Sequence, residues 1–235
     1  MKKTLRIAFS LAFALLLGGT VAAQVVETTN YDDGRTYTGQ RNGRGKIEGQ
    51  GRMTWPNGDV YDGQWKKGVF HGEGTYNFKS AGYIYTGQWE KGAIKGHGTF
   101  KFKNGDVMEG DWTAMGTGTG YRVFADGSRY DGSFLNGVFH GPGTMVWKNG
   151  DRYEGTFDMG HKHGRGTLIF ASGSVYTGEF DSDKRQGNGV CKYADGARYE
   201  GSWANDLFEG KGTYTEADGT VLTGNWHLGI LEEEK

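Results

Sequence analysis

Apolar and polar residues alternate with period two along most of the chain. Tyr61, Gly63 and Trp65 share one side and Asp62 and Gln64 the other; Met53 and Trp55, Phe100 and Phe102, Met145 and Trp147, and Leu168 and Phe170 repeat the alternation upstream of turn signals. Period two is the signature of a strand with one buried and one wet face. The runs are separated by Asn-Gly and Asp-Gly pairs, as at Asn57-Gly58 and Asp195-Gly196. Those pairs favour type I′ hairpin turns, because both central residues need a positive φ. The pattern therefore predicts successive β-hairpins, each with one aromatic face and one polar face.

The hairpins repeat. Tyr61-x-Gly63-x-Trp65-x-x-Gly68-x-x-His71-Gly72-x-Gly74 returns at Tyr85, Tyr130 and Tyr153, and weaker copies begin at Tyr37, Met108, Tyr176, Tyr199 and Leu222. Consecutive starts lie 22 to 24 residues apart, which gives nine units. A fixed period of this length marks a repeat array whose units bury their apolar faces only by stacking. Nine hairpins edge to edge, at about 4.8 Å per strand, make one antiparallel sheet roughly 85 Å long, which natural twist would coil. The glycine between the two aromatic positions is expected to leave room for rings from the neighbouring strand. The expected fold is all-β: an elongated, single-layer, twisted and curved solenoid-like rod.

This unit closely resembles the MORN repeat (membrane occupation and recognition nexus), whose pattern reads Tyr-x-Gly-x-Trp-x-x-Gly-x-x-His-Gly-x-Gly. The resemblance runs from about residue 34 to residue 230. It implies hairpin repeats in a curved sheet and roles in protein interaction, dimerisation and phospholipid contact. Where such repeats occur in enzymes, the resemblance implies a separate catalytic domain, and the 34–230 array leaves little chain over for one. Arg41 at the Trp position, Met108 at the Tyr position and a last unit stopping at Gly229 depart from the pattern, mostly at the ends.

Composition agrees with close-packed hairpins. Glycine is 44 of 235 residues, against a typical ~7 %, and aromatics make up 14 %. The first residues read differently. Lys2, Lys3 and Arg6 precede an apolar run from Ile7 to Leu17, and Val21-Ala22-Ala23 supplies small residues before Gln24. That is the layout of a cleaved secretory signal, bacterial in style, and it places the mature protein in the periplasm or outside the cell. The expected organisation is a signal at 1–23, a short lead at 24–33, the repeat domain at 34–230 and an acidic tail at 231–235. Losing 1–23 leaves 24 basic against 28 acidic side chains, a formal charge of −4. That balance argues against a nucleic-acid partner and weakens attraction to anionic lipid.

Little in the sequence points to chemistry. Histidines 71, 140 and 163 belong to the repeat, and equivalent atoms two strands apart lie roughly 10 Å from one another, too far to share a zinc ion. His161-Lys162-His163 is the one close pair. Asp181-Ser182-Asp183 begins like a calcium loop but continues with Lys184-Arg185. No phosphate-binding glycine motif is present, and Gly116 to Gly120 reads as a distorted turn. Cys191 falls on the apolar side as a buried thiol. Arg129, Arg152 and Arg198 are expected to pair across strands with acids of the polar face, such as Asp131, Glu154 and Glu200. Neither a metal nor a cofactor nor catalysis is expected.

The expected function is a non-catalytic scaffold that binds a protein partner, or itself, through an aromatic-lined groove. The candidate contact residues are Tyr61, Trp65, Tyr85, Trp89, Trp112, Tyr130, Phe134, Tyr153, Phe157, Tyr176, Phe180, Tyr199 and Trp203. A glycan- or phospholipid-binding module of the cell envelope is the alternative.

Overall fold

A computed structural model describes residues 6–8 and 25–232. The expected signal at 1–23 thus lies outside the described residues except for Arg6–Ala8, and so does the tail from residue 233 onward. All secondary structure among the described residues is β, and all of its pairings are antiparallel. The chain divides into two compact units, Met1–Met115 and Gly116–Lys235.

In the first unit β1 (Arg6–Ala8) pairs with β2 (Val26–Asn30), which pairs with β3 (Thr36–Arg41). The expected lead therefore carries a strand. Then follow β4 (Ile47–Thr54), β5 (Val60–Lys66), β6 (Val69–Phe78), β7 (Tyr83–Glu90), β8 (Ala93–Phe102) and β9 (Val107–Ala114), each paired with the one before. In the second unit the same meander runs through β10 (Thr117–Val123), β11 (Arg129–Leu135), β12 (Val138–Val146), β13 (Arg152–Asp158), β14 (His161–Ile169) and β15 (Val175–Asp181). It continues through β16 (Lys184–Lys192), β17 (Arg198–Ala204), β18 (Leu207–Thr215), β19 (Val221–His227) and β20 (Ile230–Leu231). The run Gly116–Gly120 is not one turn: β10 begins at Thr117.

The two kinds of turn are exchanged relative to the sequence expectation. At Asn57-Gly58 the Gly58 N–H donates to the Trp55 carbonyl and the Trp55 N–H to that of Asp59. Gly58 alone has a positive φ, 86°, so this is a type I turn closed by a glycine bulge. The I′ turns sit at the opposite sheet edge, where Lys67-Gly68, Lys91-Gly92, Asn136-Gly137, Met159-Gly160 and Asn205-Asp206 each have two positive φ values. The Asn-Gly rule located one set of turns and meets the second only at Asn136-Gly137, because Lys67, Lys91 and Met159 carry no turn preference of their own.

Both edges are stitched from one hairpin to the next. The Asp59 carboxylate accepts the Lys79 N–H at 2.8 Å, and in the second unit Ser128, Asp151 and Ser174 accept the N–H groups of Lys148, Ala171 and Ala194. At the I′ edge the turn N–H donates to the preceding hairpin, as from Gly92 to Phe70 and from Gly160 to Phe139. Asp59→Ala is expected to lower the unfolding free energy by about 1–2 kcal/mol, the effect of one buried donor left unpaired. An unchanged urea midpoint would show that other contacts hold the turn.

On the polar face, threonines from adjacent strands bond to one another, as Thr28 with Thr38 and Thr213 with Thr223, both at 3.0 Å. The arginines do not reach across strands as expected. Arg129 pairs with Asp131 at 2.6 Å, Arg152 with Glu154, and Arg198 with Glu200. Each pair is two residues apart on one strand, because a period of two puts those side chains on the same face.

Candidate partner-binding face

The anchor tyrosines are the deepest groups in both units. Tyr37, Tyr61, Tyr85, Tyr130, Tyr153, Tyr176 and Tyr199 are all 0 % exposed. Each hydroxyl donates to the backbone carbonyl three residues on, Tyr61 to Gln64 at 2.8 Å and Tyr130 to Ser133 at 2.9 Å. Tyr61, Tyr130, Tyr153, Tyr176 and Tyr199 are each met edge-on by two other rings. Tyr61 meets Trp65 of its own strand at 5.1 Å and Trp89 of the next unit at 5.5 Å; Tyr130 meets Phe134 and Phe157 likewise. T-shaped contacts suit the positive ring edge against the negative ring face. The tryptophan N–H groups are also satisfied: Trp65 donates to Gly51, Trp112 to Gly98 and Trp203 to Gly189.

The glycine row follows from the same rings, though not from the neighbouring strand's. Gly63 and Gly74 face each other across β5 and β6, and Tyr61, on the same strand as Gly63, lies over both. A Cβ at Gly74 would sit 2.3 Å from the Tyr61 hydroxyl oxygen.

All thirteen expected contact residues belong to this buried layer. Tyr61, Tyr85, Tyr130, Tyr153, Tyr176 and Tyr199 have no exposed area, and Trp65, Trp89, Trp112, Phe134, Phe157, Phe180 and Trp203 are at most 5 % exposed. Their rings are packed against one another and hold the hairpins in register.

A second aromatic row, which the candidate set passed over, stays half-buried. It comprises Trp55, Phe78 and Phe102 in the first unit and Phe124, Trp147, Phe170 and Tyr193 in the second. Nearly all of these occupy one slot, three residues before the glycine of the bulged turn, so the turn's own hydrogen bonds fix the ring. The signal was present as aromatic-x-x-Gly. Period two could not separate this row from the buried one, because both point to the same face.

The first unit has a groove of about 310 Å³ beside this row, lined by Tyr31, Ile47, Met53, Trp55 and Phe70 with Arg35 among its lining residues. In the second unit a hollow of about 540 Å³ is lined by Trp147, Leu168 and Phe170, with Lys162, Ser128 and Asp151. Lys162 and Arg185 stand where Phe70, Phe139 and Phe208 stand in other repeats. Both cations lie over rings: the Lys162 ammonium 5.5 Å from Trp147 and the Arg185 guanidinium 4.4 Å from Trp203. Asp183 and Asp206 from the next I′ turns pair with them at 3.2 and 3.0 Å.

Five of the six histidines lie beside carboxylates. His140 pairs with Asp158, His163 with Asp181, His161 with Asp183 at 2.6 Å, and His97 with Glu109 and Asp111. The Glu209 carboxylate accepts a hydrogen bond from the His227 ring and raises its pKa above the ordinary histidine value. Among the described residues no three His, Cys, Asp or Glu side chains converge on a metal-sized site. Cys191 is 1 % exposed, and burial pushes its thiol pKa up. No described helix is long and apolar enough to cross a membrane.

The family model for the MORN repeat matches seven segments: 43–60, 61–82, 85–107, 130–152, 153–175, 176–198 and 199–221. The chain belongs to the MORN-repeat family. The unit that starts at Met108 falls outside the MORN matches, yet Met108 is 1 % exposed and Trp112 makes the family's tryptophan bond. No curated protein matches the chain. Among solved structures, it is similar to the TCP10 domain of Danio rerio CPAP in complex with a peptide of Danio rerio STIL. That likeness has 14 % identity and a TM-score of 0.47, covering 94 % of this chain and 99 % of that one. It is also similar to the TCP domain of Drosophila melanogaster SAS-4 bound to a proline-rich motif of Ana2. Here identity is 12 % and the TM-score 0.30, over 80 % of this MORN protein and 96 % of that chain.

Proposed function

We propose that this MORN-repeat protein is an exported, non-catalytic scaffold whose second aromatic row receives an extended segment of a protein partner. One observation carries the reading: successive hairpins offer a half-buried ring next to a rigid turn, six of the seven in the same slot. Equivalent rings recur every two strands, about 10 Å apart, which suits a partner lying across the strands with one anchor per hairpin. Aromatic anchors on a preorganised surface are the usual centres of binding energy.

Trp55→Ala and Trp147→Ala remove one half-buried ring from each unit and leave the tyrosine layer whole. The expected outcome is an unchanged far-UV spectrum with at least tenfold weaker capture of the partner from envelope extract. Capture of the same proteins at the same yield by both variants would place the binding surface elsewhere.

A further inference from the structure

We infer that the partner segment crossing the second unit is acidic, with a carboxylate on every third residue for Lys162 and Arg185 of successive repeats. The inference rests on the reading above and adds the chemistry of the partner. The slot opposite the Trp place of each anchor strand holds Ile47, Phe70, Ile94, Phe139 and Phe208 in five repeats. Its phenylalanines lie flat on the anchor tyrosines, Phe70 on Tyr61 at 4.0 Å, Phe139 on Tyr130 at 3.9 Å and Phe208 on Tyr199 at 3.7 Å. In two adjacent repeats the slot holds a cation instead, Lys162 opposite Phe157 and Arg185 opposite Phe180. The flat stack is given up there: the ammonium stands 6.0 Å from the Tyr153 ring and the guanidinium 5.7 Å from that of Tyr176. The two side chains are only 14 % and 21 % exposed. A charge held at so covered a place carries a desolvation cost that a ring does not, so packing does not account for the exchange.

Both cations can serve a ligand without stranding the aspartates that hold them. Asp183 also accepts the Lys162 backbone N–H at 2.9 Å and lies 2.6 Å from the His161 ring nitrogen, so it stays partnered when the ammonium turns away. Asp206 accepts the Arg185 backbone N–H at 3.0 Å, and a guanidinium has five N–H groups, more than Asp206 takes. Lys162 borders the hollow of Trp147, Leu168 and Phe170. The acids of that hollow are engaged in its turns: Asp151 accepts the Ala171 N–H at 2.8 Å and the Asn149 amide at 2.9 Å, and Asp126 accepts the Ser128 N–H. An incoming carboxylate therefore meets a cation between apolar walls, where a charge-assisted hydrogen bond is strong.

Spacing sets the register of the acids. Lys162 and Arg185 hold equivalent places two strands apart, about 10 Å. A segment in the polyproline II conformation has three residues per turn and brings every third side chain to one face, about 9 Å apart. A β-strand offers same-face side chains at about 7 and 13 Å and fits less well. A polyproline II segment laid across β14 and β16 thus gives one carboxylate to each cation, and its other residues to the half-buried rings.

The test titrates the full chain into two fluorescein-labelled peptides, five repeats of Glu-Pro-Pro and five of Gln-Pro-Pro, and reads anisotropy at low salt. The Glu peptide is expected to bind at least tenfold more tightly, with a preference that fades as salt screens the charges. Lys162→Phe with Arg185→Phe restores the residue of the other repeats, so the far-UV spectrum should be kept and the preference lost. Lys162→Arg should retain it. Equal binding of the two peptides, or no binding of the Glu peptide, would overturn the inference. A Phe pair that lowers the urea midpoint but keeps the preference would do the same, since the cations would then serve the fold alone. Binding of phosphatidylglycerol vesicles in place of the Glu peptide, lost in the Phe pair, would assign the cations to a lipid surface and also overturn it. Trp147→Ala separates the two levels. If it weakens capture from extract while the Phe pair keeps the Glu preference, the acidic chemistry fails and the aromatic row stands; if it leaves capture unchanged, the reading beneath fails as well.

Discussion

Gly166→Ala is expected to destabilise the second unit by about 3 kcal/mol or more, the range of severe overpacking in a rigid core. A Cβ there would stand 2.4 Å from the Tyr153 hydroxyl oxygen and 2.5 to 2.6 Å from two of its ring carbons. The ring has nowhere to go. Its hydroxyl is held by the Thr156 carbonyl at 3.0 Å, and Phe157 and Phe180 press its two sides at 5.1 Å. Gly196→Ala provides the contrast. Nothing lies within 4 Å of a Cβ at Gly196, but its φ is +97°, so the expected cost is about 1–2 kcal/mol from backbone strain alone. Urea unfolding of both variants separates the two kinds of glycine. Equal losses would mean that the tyrosine layer yields and that its packing does not demand the glycine row.

Mild alkali is expected to unfold both units well before pH 12. Burial pushes the pKa values of Tyr37 and Tyr85 in the first unit, and of Tyr130 and Tyr153 in the second, from 10.0 to about 12. Below pH 10 both folded and unfolded chains hold these protons, and the stabilisation is complete. Between pH 10 and 12 the unfolded chain releases protons that the folded chain retains, so stability falls as pH rises. The loss is about 1.4 kcal/mol for each tyrosine per pH unit. With two or more such tyrosines in each unit, it approaches the whole stability of a typical domain, about 5–15 kcal/mol. Tyrosinate absorbance and the far-UV spectrum should change together. Ionisation with a midpoint near 10 in a chain that keeps its β spectrum would refute the prediction. Tyr153→Phe gives opposite signs: about 1 kcal/mol less stability at neutral pH from the lost hydrogen bond, and a shallower decline above pH 10.

How much was legible in advance differs from residue to residue. Tyr61, Gly63 and Trp65 could be assigned to one face because alternation along a strand is a property of the backbone, and the 23-residue recurrence fixed which strands pair. The depth of each ring was another matter. Trp65 and Trp55 have the same parity and chemistry; one is buried and the other half-open because Trp65 sits between two anchor tyrosines and Trp55 at a turn. Such a distinction depends on neighbours far away in the chain.

Lys162 and Arg185 show the same limit. Each looked like an ordinary polar residue of a degenerate repeat, and each proved to occupy an aromatic slot, over a ring and paired to an aspartate about twenty residues on. By itself the amino-acid sequence determined the hairpin unit, its period, its apolar face and its family, since all four are local patterns iterated along one chain. Only the tertiary structure decided that the anchor rings are interior and that the open rings border the bulged turns. Those are matters of contact between hairpins, set by the register in which they stack, and register is visible only once the strands lie side by side.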